Sequence, residues 1–260
     1  MNSGRATQLK SLSIVFPMYN EKDNIVIAVA EALRVGALIT ADLEIIVVDD
    51  ASTDGSGILI DRLAEIHSNV RAIHHPKNRK LGGALKTGFA AATKAWILYI
   101  DSDLPIRMED ALDAIPLTEN SEMVIGWRTS RAESWRRSVM SWTYNRLIRF
   151  AFQLRVRDVN FAFKLFKRSL YKRIQLTSEG SFIDAELLIQ AKRRKARIAQ
   201  IGMNYYPRVA GESSLARPGI VLKILSEMLR YRLKSYAESI QNLSGKRRRL
   251  WAEQANQSWD

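Results

Sequence analysis

Short apolar runs punctuate the first half of the chain, and each is followed by a stretch whose apolar residues recur at helical spacing. Ser11 to Phe16, Leu43 to Val48, Val70 to His74, Trp96 to Ile100 and Ser121 to Gly126 read as strands. Helical patterns fill about 20–36, 56–67 and 81–94. This alternation predicts an α/β fold, a doubly wound, mostly parallel sheet with helices on both faces. The second half is less regular. It predicts a long helix over 133–154, a strand over 161–166, a helix over 181–194 and an extended segment over 196–201. A C-terminal amphipathic helix is expected over 219–243, with Val221, Ile224, Leu225, Met228 and Leu229 on its apolar stripe.

No repeat or low-complexity linker divides the chain, so residues 1–243 are expected to form one domain, followed by a basic tail over 244–260. At 260 residues the chain is near the upper size for a single core. No apolar stretch approaches the ~20 residues of a membrane-spanning helix. Met1 to Lys10 lacks the apolar centre of a signal peptide, and there are no cysteines. Disulfide frameworks and thiolate metal sites are thereby excluded, and a reducing cytosol is the expected setting. His67, His74 and His75 lack zinc-like spacing and read as surface or loop residues.

The net charge of +13 calls for a partner of opposite sign: nucleic acid, an anionic membrane face or a phosphorylated substrate. Acids outnumber bases through residue 126, so the positive excess belongs to the chain from Arg128 onward. There, Trp135, Trp142, Phe150 and Phe152 interleave with arginines, which suits either a membrane interface or a helix covering the sheet with a solvated basic face.

Two acidic pairs stand at strand ends. Asp101-Ser102-Asp103 follows Trp96–Ile100, and Asp49-Asp50 closes Leu43–Val48. Carboxyl ends of strands in open α/β sheets are where ligands bind. Two hard oxygen donors one residue apart can hold Mg²⁺ or Mn²⁺, with substrate phosphates completing the shell. Asp punctuating a strand end is the bland alternative for either pair alone. After the first strand, Asn20 reads as a helix cap, while Tyr19 could pack on a base and Glu21 bond a base or ribose. Asp54 reads as the cap of the next helix. Residues 75–84 fail the P-loop pattern, and Gly82-Gly83 instead permits close backbone approach at a helix start.

Taken in order, these segments resemble the family 2 glycosyltransferases, in particular those that make polyprenyl-phosphate sugars. The matching text is Pro17-x-Tyr19-Asn20-Glu21, Val48-Asp49-Asp50-x-Ser52-x-Asp54, Gly82-Gly83-Ala84 with Gly88, Asp101-x-Asp103, Gly126-x-Arg128, Asp158 with Phe163, and Arg208-x-x-Gly211-x-Ser213. The resemblance implies a GT-A fold, with the nucleotide sugar held by residues 11–126 and the acceptor by 127–243. It puts Pro17, Tyr19, Glu21, Val48 and Asp50 on the nucleoside. Asp101, Ser102 and Asp103 would face the diphosphate, with Asp101 and Asp103 as metal ligands. Arg128, Arg208 and Ser214 would meet the diphosphate or the acceptor phosphate. Asp103, Asp184, Arg128 and Arg208 are the catalytic candidates. Two positions depart from the family pattern. Pro105 stands where a third metal ligand often lies, and Ser214 stands where a lysine is common, with Arg217 nearby.

The expected reaction is inverting transfer of a hexose from a nucleotide-diphosphate sugar to a polyprenyl phosphate. The expected location is the cytoplasmic face of the membrane, peripherally bound, as a homo-oligomer or with a membrane partner protein. A phosphate acceptor is already nucleophilic at neutral pH, so Asp184 would then only position groups. With a hydroxyl acceptor, Asp184 would be the general base. A nucleic-acid role would leave the acidic strand ends idle, and the chain has no nucleic-acid recognition motif. No nucleic-acid partner is therefore expected.

Overall fold

The computed structural model describes residues 8–129, 135–206 and 226–233. The chain divides into two compact units, Met1–Ala216 and Arg217–Asp260. In the second unit the described segment, 226–233, is helical. The rest of the helix expected over 219–243 and the tail over 244–260 lie outside the described residues.

Among the described residues of the first unit, seven strands form one sheet in the order β3-β2-β1-β4-β6-β5-β7. They are β1 (Leu12–Met18), β2 (Leu43–Asp49), β3 (Val70–His74), β4 (Trp96–Ile100), β5 (Met123–Arg128), β6 (Phe163–Lys167) and β7 (Ile198–Met203). Pairing is parallel except at β6, which runs antiparallel to both β4 and β5. The doubly wound sheet stands, with one reversed strand that hydrophobic patterning does not reveal.

β1, β2, β4 and β6 are buried on both faces, which selects continuous β-branched and aromatic runs. On one face α1 (Ile25–Ile39) sets Ile25, Ala28, Val29, Ala32, Val35 and Ile39 against Ile14, Phe16, Ile45 and Val47. On the other, α3 (Lys80–Ala91) brings Phe89 edge-on to Tyr99, Phe166 and Tyr171. Gly88 lets α3 sit close, since a Cβ there would lie 2.4 Å from Val15 Cγ1. The remaining helices are α2 (Ser56–Ile66), α4 (Trp135–Phe152), the single turn α5 (Arg168–Tyr171) and α6 (Ile183–Arg193).

Most expected element limits move by one to three residues, and two of the shifts have a clear physical cause. The first helix begins at Ile25, not near Asn20, because Asn20 adopts a left-handed backbone (φ 56°) and bonds across to the β2 loop. The fifth strand extends to Arg128, held by its pairing with β7 as far as Met203.

Candidate active site

The carboxyl ends of β1, β2 and β4 meet at one edge. Asp50 donates its backbone N–H to Met18 O at 2.8 Å, and Ser102 Oγ donates to Pro17 O at 2.7 Å. The two acidic stretches therefore flank the end of β1 at one edge of the sheet. The loops behind them are stitched together: Asn20 N–H donates to Ser52 Oγ, Thr53 N–H to Asn20 Oδ1, and Lys22 N–H to Asp54 Oδ2. Asp54 also accepts from the Ser56 backbone at 2.9 Å, although the N-cap of α2 is Gly55 and not Asp54. Tyr19 is half exposed at this edge. Glu21 accepts from Asn24 Nδ2 at 2.7 Å, and Val48 is fully buried against α3, so the Val48 side chain is part of the core.

Asp49 and Asp50 are both buried, and two histidines explain how. His74 lies between Asp49 and Asp61, 2.9 Å from each, and these carboxylates hold it above its ordinary pKa against the opposing effect of burial. His75 is not the surface residue the sequence suggests. It is buried, with Nδ1 2.7 Å from Asp50 Oδ1 and Nε2 2.9 Å from Thr87 Oγ1. Parallel pairing of β2 with β3 sets Asp49 opposite His74, which brings the two dipeptides together.

The D-x-D turn leaves β4 with Leu104 in a left-handed conformation (φ 45°) and Leu104 N–H on Asp101 O. Tyr99 donates its hydroxyl to Asp101 Oδ1 at 3.1 Å. Burial, followed by the negative charges of Asp101, Asp184 and Asp103, pushes that hydroxyl well above the ordinary phenol range. Three carboxylates therefore crowd one buried phenol. Among the described residues no group of three His, Cys, Asp or Glu side chains forms a cage for a metal. Two hard carboxylates with open positions fit Mg²⁺ or Mn²⁺ shared with substrate phosphates, rather than a closed structural site.

The second half of the chain adds the ion pairs Arg128–Asp158 and Lys164–Asp184. Arg128, at the end of β5, pairs with Asp158 (Nε to Oδ2, 2.8 Å) and lies over the ring of Tyr205. Asn145 of α4 fixes the Asp158 loop by accepting from Val159 N–H at 2.7 Å. Lys164, in the middle of β6, is almost completely buried. Its Nζ donates to Phe161 O at 2.8 Å and to Asp184 Oδ1 at 2.6 Å, and sits 5.2 Å from the Tyr99 ring centre. Burial pushes Asp184 above its ordinary pKa, Lys164 opposes the rise and Asp158 adds to it. Glu186, two residues on, is wholly buried and accepts from Thr177 and Ser178 backbone N–H groups. The loop it anchors reaches α3, where Glu179 pairs with Arg79 at 3.2 Å and accepts Gly82 N–H through its carbonyl.

Asp50, Asp101, Ser102, Asp103 and Arg128 stand at strand ends on one edge, Asp184 is buried against Lys164 of β6, Val48 is core, and Arg208 and Ser214 lie outside the described residues. Lys164 and His75 are the residues that sequence reasoning passed over. A lysine inside Phe163–Phe166 was a usable signal, because an ammonium in a buried strand requires an acidic partner.

The model of Glycosyl transferase family 2 matches residues 13–175. The chain belongs to this family. Among curated family relatives, glycosyltransferase AglD of Haloferax volcanii is 29% identical over 231 residues; the match covers 84% of this chain and 36% of AglD. Polyprenol monophosphomannose synthase of Mycolicibacterium smegmatis is 26% identical over 80% of this chain and 82% of its own. Dolichyl-phosphate beta-glucosyltransferase of Saccharomyces cerevisiae is 28% identical, with 79% and 70% covered. The fold matches glucosyl-3-phosphoglycerate synthase of Mycobacterium tuberculosis, solved with Mn²⁺, uridine diphosphate and phosphoglyceric acid. That match has a TM-score of 0.60 at 21% identity, covering 78% of this chain and 73% of that one. The GT-A expectation holds, and the enzyme class is a family 2 glycosyltransferase.

Proposed function

We propose that the protein transfers a hexose from a nucleoside diphosphate sugar to a polyprenyl phosphate at a membrane surface. The observation that carries the choice of acceptor is the state of Asp184. A hydroxyl acceptor needs a base within hydrogen-bond reach of its proton. Asp184 Oδ1 is held by the Lys164 ammonium at 2.6 Å, so taking up an acceptor proton would break a buried ion pair and strand the lysine charge. A phosphate monoester, with a second pKa of ~6, needs no such base. Both polyprenol monophosphomannose synthase and dolichyl-phosphate beta-glucosyltransferase carry this acceptor class in their names.

Residues 11–126 then read as the nucleotide-sugar half and the chain from 127 as the acceptor half. Pro17, Tyr19, Glu21 and Asp50 surround the nucleoside, and Asp101 and Asp103 hold the cation. Mg²⁺ or Mn²⁺, when bound there, supplies positive charge for the departing diphosphate. Arg128, fixed by Asp158, offers a preorganised cation to the diphosphate or the acceptor phosphate, at no reorganisation cost during reaction. The family pattern assigns Arg208 to the same phosphates, and Ser214 stands where that pattern commonly has a lysine. In-line attack from the opposite face of the sugar inverts its anomeric centre.

Membrane docking is supported by one stripe of α4. Trp142, Arg146, Arg149 and Phe150 are all exposed, Phe150 by 85%, and Arg146 lies over the Trp142 ring. Aromatic and cationic groups interleaved in this way suit the interface of an anionic leaflet. No described helix is long and apolar enough to cross a membrane. The test supplies labelled nucleotide sugar, Mn²⁺ and a polyprenyl phosphate in vesicles, followed by organic extraction. An acid-labile, solvent-soluble product is expected. Turnover confined to sugar or polyol acceptors would overturn the proposal.

A further inference from the structure

The two carboxylate oxygens of Asp50 are not equivalent. Oδ1 receives two hydrogen bonds of 2.7 Å, one from His75 Nδ1 and one from the backbone N–H of Arg79. Both side chains are buried, at 4% exposure for Asp50 and 6% for His75. An ionised carboxylate only accepts, so the ring proton belongs on Nδ1 and leaves Nε2 facing Thr87 Oγ1 at 2.9 Å. Arg79 closes the group through its guanidinium, 3.4 Å from the same Thr87 oxygen. The Asp50 backbone is held on both sides as well, by Met18 O and by Asn78 Nδ2. Rotating the carboxylate would break two buried bonds. Among the described residues no hydrogen bond reaches Oδ2.

We infer that this half-occupied carboxylate selects uracil over guanine, so that the donor is a uridine diphosphate sugar. The inference rests on the proposed placement of Asp50 against the base. Each carboxylate oxygen offers about two acceptor positions, and those of Oδ1 are filled. Guanine presents two adjacent donors, N1–H and the N2 amino group, which match a carboxylate using both oxygens side by side. Here the second donor meets a saturated oxygen and is left unpaired, at the desolvation cost of a buried donor without an acceptor. Uracil presents a single imide N3–H between two carbonyls, one donor for one oxygen. Cytosine presents an acceptor at N3, which an ionised carboxylate repels.

The same geometry predicts what an amide does at this position. In Asp50→Asn the side-chain oxygen remains on His75 and Arg79, because both are donors. The NH₂ then occupies the place of Oδ2 and turns an acceptor into a donor. Cytosine N3 fits that donor and uracil N3–H does not.

The experiment is calorimetric titration of the full chain with UDP, GDP and CDP in Mn²⁺ buffer, repeated on Asp50→Asn and on Thr87→Val. For the parent protein UDP is expected to bind at least about tenfold more tightly than GDP or CDP. In Asp50→Asn the UDP to CDP ratio should fall by at least about tenfold, a change that loss of packing alone does not produce. Thr87→Val loosens His75 and should narrow the UDP to GDP ratio. GDP binding as tightly as UDP, or an unchanged UDP to CDP ratio in Asp50→Asn, overturns the uracil assignment alone. Binding of none of the three nucleotides overturns the proposed function itself.

Discussion

Lys164 Nζ lies 2.6 Å from Asp184 Oδ1, and neither side chain meets solvent to any useful extent. The pair joins the centre of β6 to the first turn of α6, beneath the ring of Tyr99 that supports the D-x-D turn. Breaking one partner strands a buried charge, which costs about 3–5 kcal/mol. Lys164→Met and Asp184→Asn should each lower stability on that scale in urea unfolding. Lys164→Met combined with Asp184→Leu should cost less than either single change. Singles within about 1 kcal/mol of the parent would show that the pair is hydrated in solution.

Asp103→Asn should reduce turnover by at least about a hundredfold with circular dichroism unchanged. Removing one preorganised charge from a phosphate-handling site acts on the transition state more than on folding. Full turnover by Asp103→Asn under chelation would remove the cation from the reaction.

Gly82 of α3 touches the backbone of the loop that leads to Asp184. A Cβ there would lie 2.4 Å from Ser178 O and 2.8 Å from the Glu179 backbone. No flexible side chain can yield, so Gly82→Ala should cost about 1–3 kcal/mol and slow turnover by displacing that loop. Unchanged thermal midpoint and kcat would show that the contact is slack.

Glu44 sits at the opposite edge of the sheet. Burial alone would push its carboxyl up, but Ser13 Oγ at 2.6 Å, together with Thr93 N–H and Oγ, outweighs that and holds it below the ordinary glutamate range. A carboxyl depressed on folding adds stability above its unfolded pKa and loses it as pH falls toward the folded one. Unfolding free energy should therefore drop below about pH 4.5, and Glu44→Gln should flatten that part of the profile. An identical acid limb in Glu44→Gln would assign the loss to other carboxylates.

Arg146 and Arg149 flank the exposed Phe150 on α4. Each cation near anionic lipid contributes ~1 kcal/mol. Reversing both to Glu should cut sedimentation with phosphatidylserine vesicles at least about tenfold, while turnover of a short, soluble prenyl phosphate persists. Equal vesicle binding would place the docking face elsewhere.

The sheet was legible because strands buried on both faces leave continuous apolar runs, as in Ile45–Val48 and Ile97–Ile100. The acidic strand ends were legible for the same reason, since Asp interrupts those runs at the edge. Partners formed across the fold were not. Lys164 and Asp184 are 20 residues apart, and Asp50 meets His75 only because β2 and β3 align in parallel register. The direction of β6 was hidden too, because alternation of Phe161, Phe163 and Leu165 is the same read either way. Asn20 misled, since a residue that caps helices well also tolerates the left-handed backbone it adopts here.

The reversal of β6 has a consequence for how such enzymes diversify. A strand that starts at the reactive rim is fed by an arc, residues 153–162, tethered between α4 and β6. An arc exchanged at these tethers leaves the parallel strands aligned, provided that it keeps Asp158, whose carboxylate holds Arg128 in place.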